Sequence, residues 1–269
     1  MITFSKLGRY GQLGNQLFQV GLLIGVSEKR GYQVKIPKAY QYPKKRGLVE
    51  LQPFNITMPR LGSNDLAIVK NTFIYDDLAF NPEVFNQCDN TDFQGYFQSE
   101  LYFRHAKARI MREFSFKPEI NNWAEATARK LRGAKRLVAL HVRRGDYLQN
   151  PDRFRIFTAA HLEACMNHSA IDGLNSVFLV FSDDHRWCSE NLKGNWQLSV
   201  GKDHWHDLAL MTKCDDFIIS ASSFSWWGAW LGSSNNKIVI APGKWFPDGV
   251  SINTQDVIPE SWIRFESGF

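Results

Sequence analysis

Two arginines and a carboxylate follow a short apolar run near the middle of the chain. Residues 137–142 read Leu-Val-Ala-Leu-His-Val, which is typical of a buried strand, and Arg143, Arg144 and Asp146 come directly after it. In open α/β sheets, ligands bind outside the carboxyl ends of the strands. A guanidinium group can fork onto two phosphate oxygens, which a lysine cannot do. The spacing therefore predicts a phosphate-binding edge; the alternative is a strand that ends in a solvated charge run.

Polar residues recur after two later runs of the same kind. Asp183 and Asp184 follow the apolar run 176–182, and Ser222 and Ser223 follow another run further along the chain. Strands that alternate with helices predict a parallel sheet with right-handed crossovers, so these residues should meet at one edge. Serine hydroxyls and helix-start amides can hold phosphate, and a carboxylate can accept hydrogen bonds from a purine or a ribose. The pattern predicts a nucleotide site.

The elements that open the chain predict a second α/β unit. A strand over 1–5 precedes the glycine segment 8–14, Asn15 is a candidate helix N-cap, Gly31 is a helix stop, and 33–36 would form the next strand. The spacing Gly-x-x-Gly-x-x-Gly is neither the dinucleotide fingerprint nor a Walker loop. It predicts a phosphate loop only weakly, and a tight structural turn is the alternative.

Two further segments bear on domain organisation and on sugar binding. The stretch Phe93-Gln-Gly-Tyr-Phe-Gln-Ser-Glu100 joins aromatic rings to carboxamides and a carboxylate. That mixture suits the hydroxyls of a sugar acceptor, and an amphipathic strand edge is the alternative. Gly133-Ala-Lys-Arg is the best candidate linker. We therefore expect an N-terminal domain over 1–133 and a C-terminal domain over 134–269, with the last residues packing back on the first.

Composition and net charge limit the kinds of ligand that the protein is expected to bind. The 269 residues are 44% hydrophobic and 22% charged, which is globular, and the net charge of +5 with a pI near 9.0 suits a polyanionic small ligand. That charge is too weak to argue for nucleic acid. The four cysteines are far apart, as in a reducing compartment, and we find neither a signal peptide nor an apolar run of about 20 residues. We expect a cytoplasmic protein with peripheral contact at the inner membrane.

A metal-dependent mechanism finds little support in the sequence. No Asp-x-Asp pair is present to hold a cation on a diphosphate. His204 and His206, flanked by Asp203 and Asp207, form an alternative zinc site, but no third ligand at metal spacing supports it. We expect no metal and no cofactor, with positive side chains stabilising the leaving diphosphate. A serine hydrolase is disfavoured because no Gly-x-Ser-x-Gly elbow is present, and a retaining glycosidase would leave the arginine pair without a role.

Taken together, the motifs resemble those of glycosyltransferase family 11, the α-1,2-fucosyltransferases, over nearly the whole chain. The resemblance rests on the segments Gly11-Gln-Leu-Gly-Asn-Gln-Leu-Phe-Gln19, Gly95-Tyr-Phe-Gln-Ser-Glu100, His141-Val-Arg-Arg-Gly-Asp-Tyr147, Phe181-Ser-Asp-Asp184 with Trp187, and Ser220-Ala-Ser-Ser-Phe-Ser-Trp-Trp-Gly-Ala-Trp230. The chain departs from the family pattern at Arg9-Tyr10, where the family is often rich in glycine.

The resemblance implies an α/β protein of the GT-B type, with two Rossmann-like domains facing across a cleft. It implies GDP-fucose as the donor, inversion at the anomeric carbon and no metal. Carried over onto matching positions, the residues that bind GDP-fucose are His141, Arg143, Arg144, Asp183, Asp184, Ser222, Ser223, Phe224, Gly14 and Asn15.

The resemblance also assigns roles within that set. Arg143 should contact the diphosphate with Arg144 beside it, His141 should lie near the nucleoside, and Asp183 or Asp184 should accept from guanine. Ser222, Ser223 and Phe224 should close over the phosphates. Gly14, Asn15 and Glu100 should face the acceptor and the fucose. The catalytic residues are then Arg143, with Asp146 and Glu100 as candidate bases, although Asp146 is equally suited to orient an arginine by an ion pair.

The function implied is transfer of L-fucose to the 2-hydroxyl of a terminal galactoside during the synthesis of a surface glycan or O-antigen. The same fold with another GDP-deoxysugar donor, such as GDP-colitose, is a related alternative. Alternatives of other classes are a nicotinamide-dependent oxidoreductase, against which the glycine spacing counts, and a sugar-binding protein without catalytic activity.

Overall fold

The computed structural model describes residues 1–38 and 48–266, and the chain forms two compact units. One unit comprises Met1–Lys117 and Ile252–Pro259, and the other comprises Pro118–Ser251 and Glu260–Phe269. The expected division after residue 133 placed the helix that begins at Pro118 in the first domain. The structure places that helix in the second unit, because it packs against a helix of that unit.

A segment near the end of the chain returns to the first unit. Asp77 accepts a hydrogen bond from the amide of Asn253, and Asp256 accepts one from the amide of Phe80, each at 2.8 Å. The chain then rejoins the second unit from Glu260 onward. The expected return of the last residues therefore involves Ile252–Pro259 and not the residues that follow.

Helix α1 (Leu13–Arg30) is the longest element of the first unit, and most of its side chains are buried. It ends at Gly31, whose φ of 71° lies in the left-handed region that glycine favours, so the predicted helix stop is confirmed. The predicted N-cap at Asn15 is wrong. The helix begins at Leu13, less than one turn before the start that an Asn15 cap would give, with Gln12 in extended backbone at the cap position and the Asn15 side chain bonded elsewhere.

Parallel pairing organises the strands of the first unit. Strands β1 (Asn71–Tyr75) and β2 (Thr91–Gly95) pair in parallel. The expected strands at 1–5 and 33–36 are reduced to single parallel bridges, Thr3 with Asp92 and Ile2 with Val34. The order strand, glycine loop, helix, strand is therefore present with much shorter pairing than expected. Helix α2 (Lys107–Glu113) follows two short 3-10 turns.

The second unit alternates helices and strands. Its remaining elements are α3 (Pro118–Arg132), β3 (Arg136–Val142), α4 (Ala159–Met166), β4 (Ser176–Ser182), α5 (His185–Asn191), β5 (Trp196–Leu198), α6 (His204–Met211), β6 (Asp216–Ile218), α7 (Ser223–Trp230), β7 (Val239–Pro242) and β8 (Ile263–Phe265). The sheet order is β5-β4-β3-β6-β7-β8, and each neighbouring pair is parallel. The predicted parallel sheet is confirmed, and β8 is an edge strand that the sequence pattern missed.

Strand β3 lies inside this sheet because it is apolar on both faces. Residues 137–142 are all buried, as a strand covered by helices on both sides requires. Its neighbours β4 and β6 contribute Val180 and Ile218 to the same apolar core as Val138 and Leu140. The polar residues that follow these strands are therefore held at one edge by a rigid centre. None of the helices in the described ranges 1–38 and 48–266 is long and apolar enough to cross a bilayer.

Candidate functional site

The register of the central strands brings the predicted site residues of the second unit together. His141 of β3 pairs with Phe181 of β4, and Val142 pairs with Ser182. The chain leaves both strands at the same level, so the arginines after β3 face the aspartates after β4. We call Arg143, Arg144, Asp146, Asp183 and Asp184 the ionic cluster.

Arg143 is held by two carboxylates. One guanidinium nitrogen lies 2.7 Å from Asp183 Oδ2, and the other donates to Asp146 three residues along the chain. The Arg143 side chain is still about a quarter exposed, and Asp146 is half exposed. The pairing orients the guanidinium while leaving part of it accessible to an anion. It also favours the orienting role for Asp146 over that of a base.

Arg144 is held by one carboxylate and by an aromatic ring. Its Nε lies 3.1 Å from Asp184 Oδ2, and its guanidinium carbon lies 4.0 Å from the ring centroid of Trp187, a cation–π contact. The Arg144 amide donates to Asp183 Oδ1 at 2.9 Å. These contacts suit a residue that holds the two aspartates in place. Trp187 follows the predicted aspartates in sequence, but only the structure shows that it supports Arg144.

Asp183 and Asp184 make different local contacts. Asp184 caps α5 by accepting from the Trp187 amide at 3.1 Å, and this bond and the Arg144 pair hold the pKa of Asp184 below its usual value. Asp183 packs against Gly145, where a Cβ atom would clash with its carboxylate. The glycine between the arginines and Asp146 is thus required for the close approach of Asp183.

His141 lies beneath the ionic cluster and is buried. Its Nδ1 lies 2.5 Å from the Ser220 hydroxyl, and its ring is 5.6 Å from that of Phe224. Burial, assisted by the charge of Arg143, lowers the pKa of His141 to about 3. The imidazole is therefore neutral at ordinary pH and exchanges a directional hydrogen bond with Ser220, a residue to which the sequence assigned no role.

The start of α7 supplies the serine part of the edge. Ser222 is the N-cap and accepts from the Phe224 amide at 3.4 Å, so α7 begins at Ser223. Free amides at such a helix start favour an anion. The Tyr147 hydroxyl donates to the Ala221 carbonyl at 3.0 Å and ties this turn to the segment after β3. The sequence shows Tyr147 at the end of the arginine motif but not this link.

The predicted residues of the first unit gather at the start of α1. Gly14 is buried within the helix, and Asn15 Oδ1 accepts a hydrogen bond from Gln98 Nε2 at 2.6 Å. Glu100 opens a 3-10 turn that Ser99 caps and is partly exposed. The structure thus brings Asn15 to the segment that carries Glu100. Gln98 lies in the segment 93–100 that the sequence predicts for sugar binding, yet its partner could not be predicted from sequence because the two residues are 83 positions apart.

The alternative zinc residues are engaged in other contacts. His206 Nδ1 pairs with Asp203 at 2.8 Å and its ring packs against Trp123, whereas Asp207 accepts from the Ser199 hydroxyl. Within residues 1–38 and 48–266, no group of three or more His, Cys, Asp or Glu side chains is placed to hold a metal ion. These contacts cap and pack α6, which is a structural role.

In open α/β proteins, ligands bind at the carboxyl edge of the parallel sheet, and here that edge presents arginines, capped helix starts and a buried neutral histidine. The sequence model of glycosyl transferase family 11 matches residues 6–266, and the chain belongs to that family. It is thus a glycosyltransferase, and the family assignment takes the place of the nicotinamide-dependent alternative.

Individual relatives agree with this assignment. An alpha-1,2-colitosyltransferase from Escherichia coli is 30% identical over 95% of this chain and 97% of its own length. Galactoside alpha-(1,2)-fucosyltransferase 1 from Leontopithecus chrysomelas is 28% identical over 84% of this chain and 64% of its own length. A crystal structure of NodZ alpha-1,6-fucosyltransferase soaked with GDP-fucose superimposes with a TM-score of 0.53 at 14% identity, covering 89% of this chain and 94% of that one. The predicted GT-B type of fold is confirmed.

Proposed function

We propose that the enzyme transfers L-fucose from GDP-β-L-fucose to the 2-hydroxyl of a terminal galactoside, with inversion at the anomeric carbon. The observation that carries the proposal is the ionic cluster, in which a partly accessible Arg143 is oriented at the carboxyl edge of a parallel sheet in a family 11 chain. The galactoside α-1,2-fucosyltransferase relative supports this acceptor linkage.

In the proposed reaction, the acceptor oxygen forms a bond to the anomeric carbon while the bond from that carbon to the β-phosphate oxygen breaks. The electron pair of the broken bond leaves with GDP. Arg143 offsets the charge that grows on the diphosphate, and a preorganised contact of this kind typically lowers the barrier by roughly 2.7–4 kcal/mol. Ser222, Ser223 and the amides at the start of α7 bind the same group.

The remaining donor contacts follow from the arrangement of the second unit. Asp183 and Asp184 are engaged with the arginines, and each carboxylate retains lone pairs that can accept from guanine. His141 and Phe224 lie near the nucleoside in this proposal. The acceptor proton passes to a base. Glu100 and Asp146 are the candidates for that step, and the ion pair with Arg143 also suits Asp146 to orient the arginine.

GDP-colitose is the second candidate donor, and one finding favours it specifically. The colitosyltransferase relative matches this chain over nearly its full length. Fucose and colitose are both transferred from GDP by the same bond changes, so the ionic cluster serves either sugar. Discrimination would rest with residues that contact the sugar ring.

We further propose that the reaction needs no metal ion and no cofactor, because the arginines supply the positive charge that the leaving diphosphate requires. Synthesis of a surface glycan, a cytoplasmic location and peripheral contact with the inner membrane belong to the same proposal. The net charge of +5 supports the membrane contact.

The test is GDP release from GDP-fucose, with and without lactose, in the presence of EDTA, repeated with GDP-colitose. Lactose-dependent release from GDP-fucose that survives the chelator is the expected result. Faster release from GDP-colitose would favour the second donor, and activity restored only by added metal would contradict metal independence. GDP binding without turnover of either donor would favour the non-catalytic alternative.

A further inference from the structure

Asn15 is held from two sides at the start of α1. Gln98 Nε2 donates to Asn15 Oδ1 at 2.6 Å, and Asn15 Nδ2 lies beside Gly11, where a Cβ atom would overlap that nitrogen. Gly11 has a φ of 87°, which glycine adopts at no steric cost. Among the described residues, the Asn15 side chain accepts this hydrogen bond through its oxygen. Its amide nitrogen is the end that can donate to a ligand.

The segment that carries Gln98 has an unusual backbone. Phe97 has a φ of 51°, in the left-handed region where a non-glycine residue costs roughly 1 kcal/mol or more. The ring of Phe97 is fully buried and packs edge-on against Phe93 and Tyr102, which retains this conformation. Gly95 approaches the Tyr75 carbonyl too closely for any Cβ atom. These constraints direct the buried Gln98 side chain toward α1.

Gln19 connects the same two segments one turn further along α1. Its Nε2 donates to the Tyr10 carbonyl at 2.9 Å and to the Gly95 carbonyl at 3.4 Å. The glycine segment and the turn after β2 are therefore both fixed to the helix. We call Asn15, Gln19 and Gln98 the carboxamide cluster.

A carboxamide offers a different group at each end, an oxygen that accepts and an NH₂ that donates. Since Gln98 occupies the oxygen of Asn15, the group that remains for a ligand is the donor end. We propose that Gln98 is a positioning residue, which holds the Asn15 oxygen so that the Asn15 N–H groups donate to an oxygen atom of the transferred sugar. This inference rests on the glycosyl transfer proposed above and adds the residue that sets the polarity of Asn15.

Substituting Gln98 in two ways separates positioning from structural support. In Gln98→Glu, the carboxylate accepts from Asn15 and turns its carboxamide over, so Asn15 presents its oxygen to the sugar. We expect kcat/KM to fall by about a hundredfold, while the Kd for GDP stays within about twofold. In Gln98→Leu, Asn15 is released but not reversed, and we expect a fall of about tenfold.

A structural role predicts the opposite order, because glutamate keeps a hydrogen bond to Asn15 and leucine does not. The kcat/KM values of the two variants are compared with whichever GDP-sugar the wild type turns over. Thermal unfolding establishes that each variant is folded. Gln52→Leu, at an exposed glutamine of the same unit, is the matched control and should behave as the wild type. A smaller loss in Gln98→Glu than in Gln98→Leu would overturn the inference.

Adding Asn15→Ala completes the test. If Gln98 acts through Asn15, Gln98→Glu should change activity by less than about twofold in the Asn15→Ala background. The same factor in both backgrounds would contradict the inference. A wild type that turns over neither GDP-fucose nor GDP-colitose would overturn both proposals, whereas an active wild type with independent effects would overturn only this one.

Discussion

The two units hold their polar side chains in place by different kinds of interaction. In the second unit, the ionic cluster pairs each arginine with carboxylates that come from a neighbouring strand end. In the first unit, the carboxamide cluster contains no charge and is fixed by neutral hydrogen bonds and a left-handed Phe97. A diphosphate leaving group requires compensating charge, whereas a sugar requires donors and acceptors of defined direction. The comparison predicts that GDP affinity depends on the second unit and not on the carboxamide cluster.

Arg143→Ala tests this division most severely. We expect kcat to fall by about 10²–10³-fold, because one preorganised contact to the departing phosphate is lost. GDP affinity should also fall, since Asp146 and Asp183 are left facing the diphosphate without their shared cation. Calorimetric titration of GDP and steady-state rates are the measurements.

Two further variants sharpen that result. Adding Asp146→Asn to Arg143→Ala should recover part of the GDP affinity by removing one of the repelling charges. Asn15→Ala should lower activity and leave the affinity for GDP unchanged. If Asn15→Ala weakens GDP binding as much as Arg143→Ala does, the proposed division between the units is wrong.

Gly145→Ala should have the next largest effect. A Cβ atom at this position clashes with the Asp183 carboxylate, which cannot move without losing both Arg143 and the Arg144 amide. We expect activity to fall by about 10- to 100-fold through misplacement of Arg143. The matched control is Gly173→Ala, where a Cβ atom would meet ordinary packing. Equal rates for the two variants would show that Asp183 does not fix the arginine.

Lowering the pH should destabilise the second unit. It should leave the carboxamide cluster unchanged, because that cluster contains no titratable group. The folded-state pKa of His141 is about 3 against an ordinary value of 6.5, so between these values the unfolded state binds a proton that the folded state does not. The free energy of unfolding should therefore fall as pH drops below 6.5, by at most about 1.4 kcal/mol per pH unit from this group.

His141→Asn isolates that contribution. From pH 7 to pH 5, urea unfolding should show the wild type losing up to about 2 kcal/mol more than the variant. The difference between the two proteins removes the effect of the other histidines, among them His161 and His204, whose pKa values burial also lowers. Identical pH dependence would mean that His141 is not held neutral.

The sequence predicted the ionic cluster far better than the carboxamide cluster, and the reason is topological. Parallel strands end at a common edge, so an apolar run followed by Arg143-Arg144 or Asp183-Asp184 places these residues without further information. The contact between Asn15 and Gln98 depends on a left-handed Phe97 and on a helix that begins before Asn15. Neither follows from a local pattern, and the helix start was predicted wrongly.

The short pairing in the first unit and the edge strand β8 were missed for a related reason. Single bridges such as Thr3 with Asp92 and Ile2 with Val34 leave too few alternating residues to mark a strand. The helix over Pro118–Arg132 was assigned to the wrong side of the domain boundary, since Gly133 marks the end of a helix and not the end of a domain. Local sequence signals predicted whether a segment is a helix or a strand more reliably than they predicted which unit the segment belongs to.

Tyr147→Phe should produce the smallest effect, and it tests whether the segments of the second unit act together. The change removes the hydroxyl that donates to the Ala221 carbonyl and leaves the ring stacked on Phe154 at 4.3 Å. One hydrogen bond is worth about 1 kcal/mol, so the GDP affinity should fall about fivefold as the start of α7 loosens relative to Arg143.

The matched control for this change is Tyr10→Phe in the first unit, where the ring packs edge-on against Phe4 and Tyr96. If GDP binds through the second unit alone, Tyr10→Phe leaves its affinity unchanged while Tyr147→Phe lowers it. Equal affinities for Tyr147→Phe and wild type would mean that the serine turn holds its place without the tyrosine. The ionic cluster and the start of α7 would then contribute to GDP binding independently, and the second unit would contain two phosphate contacts in place of one connected edge.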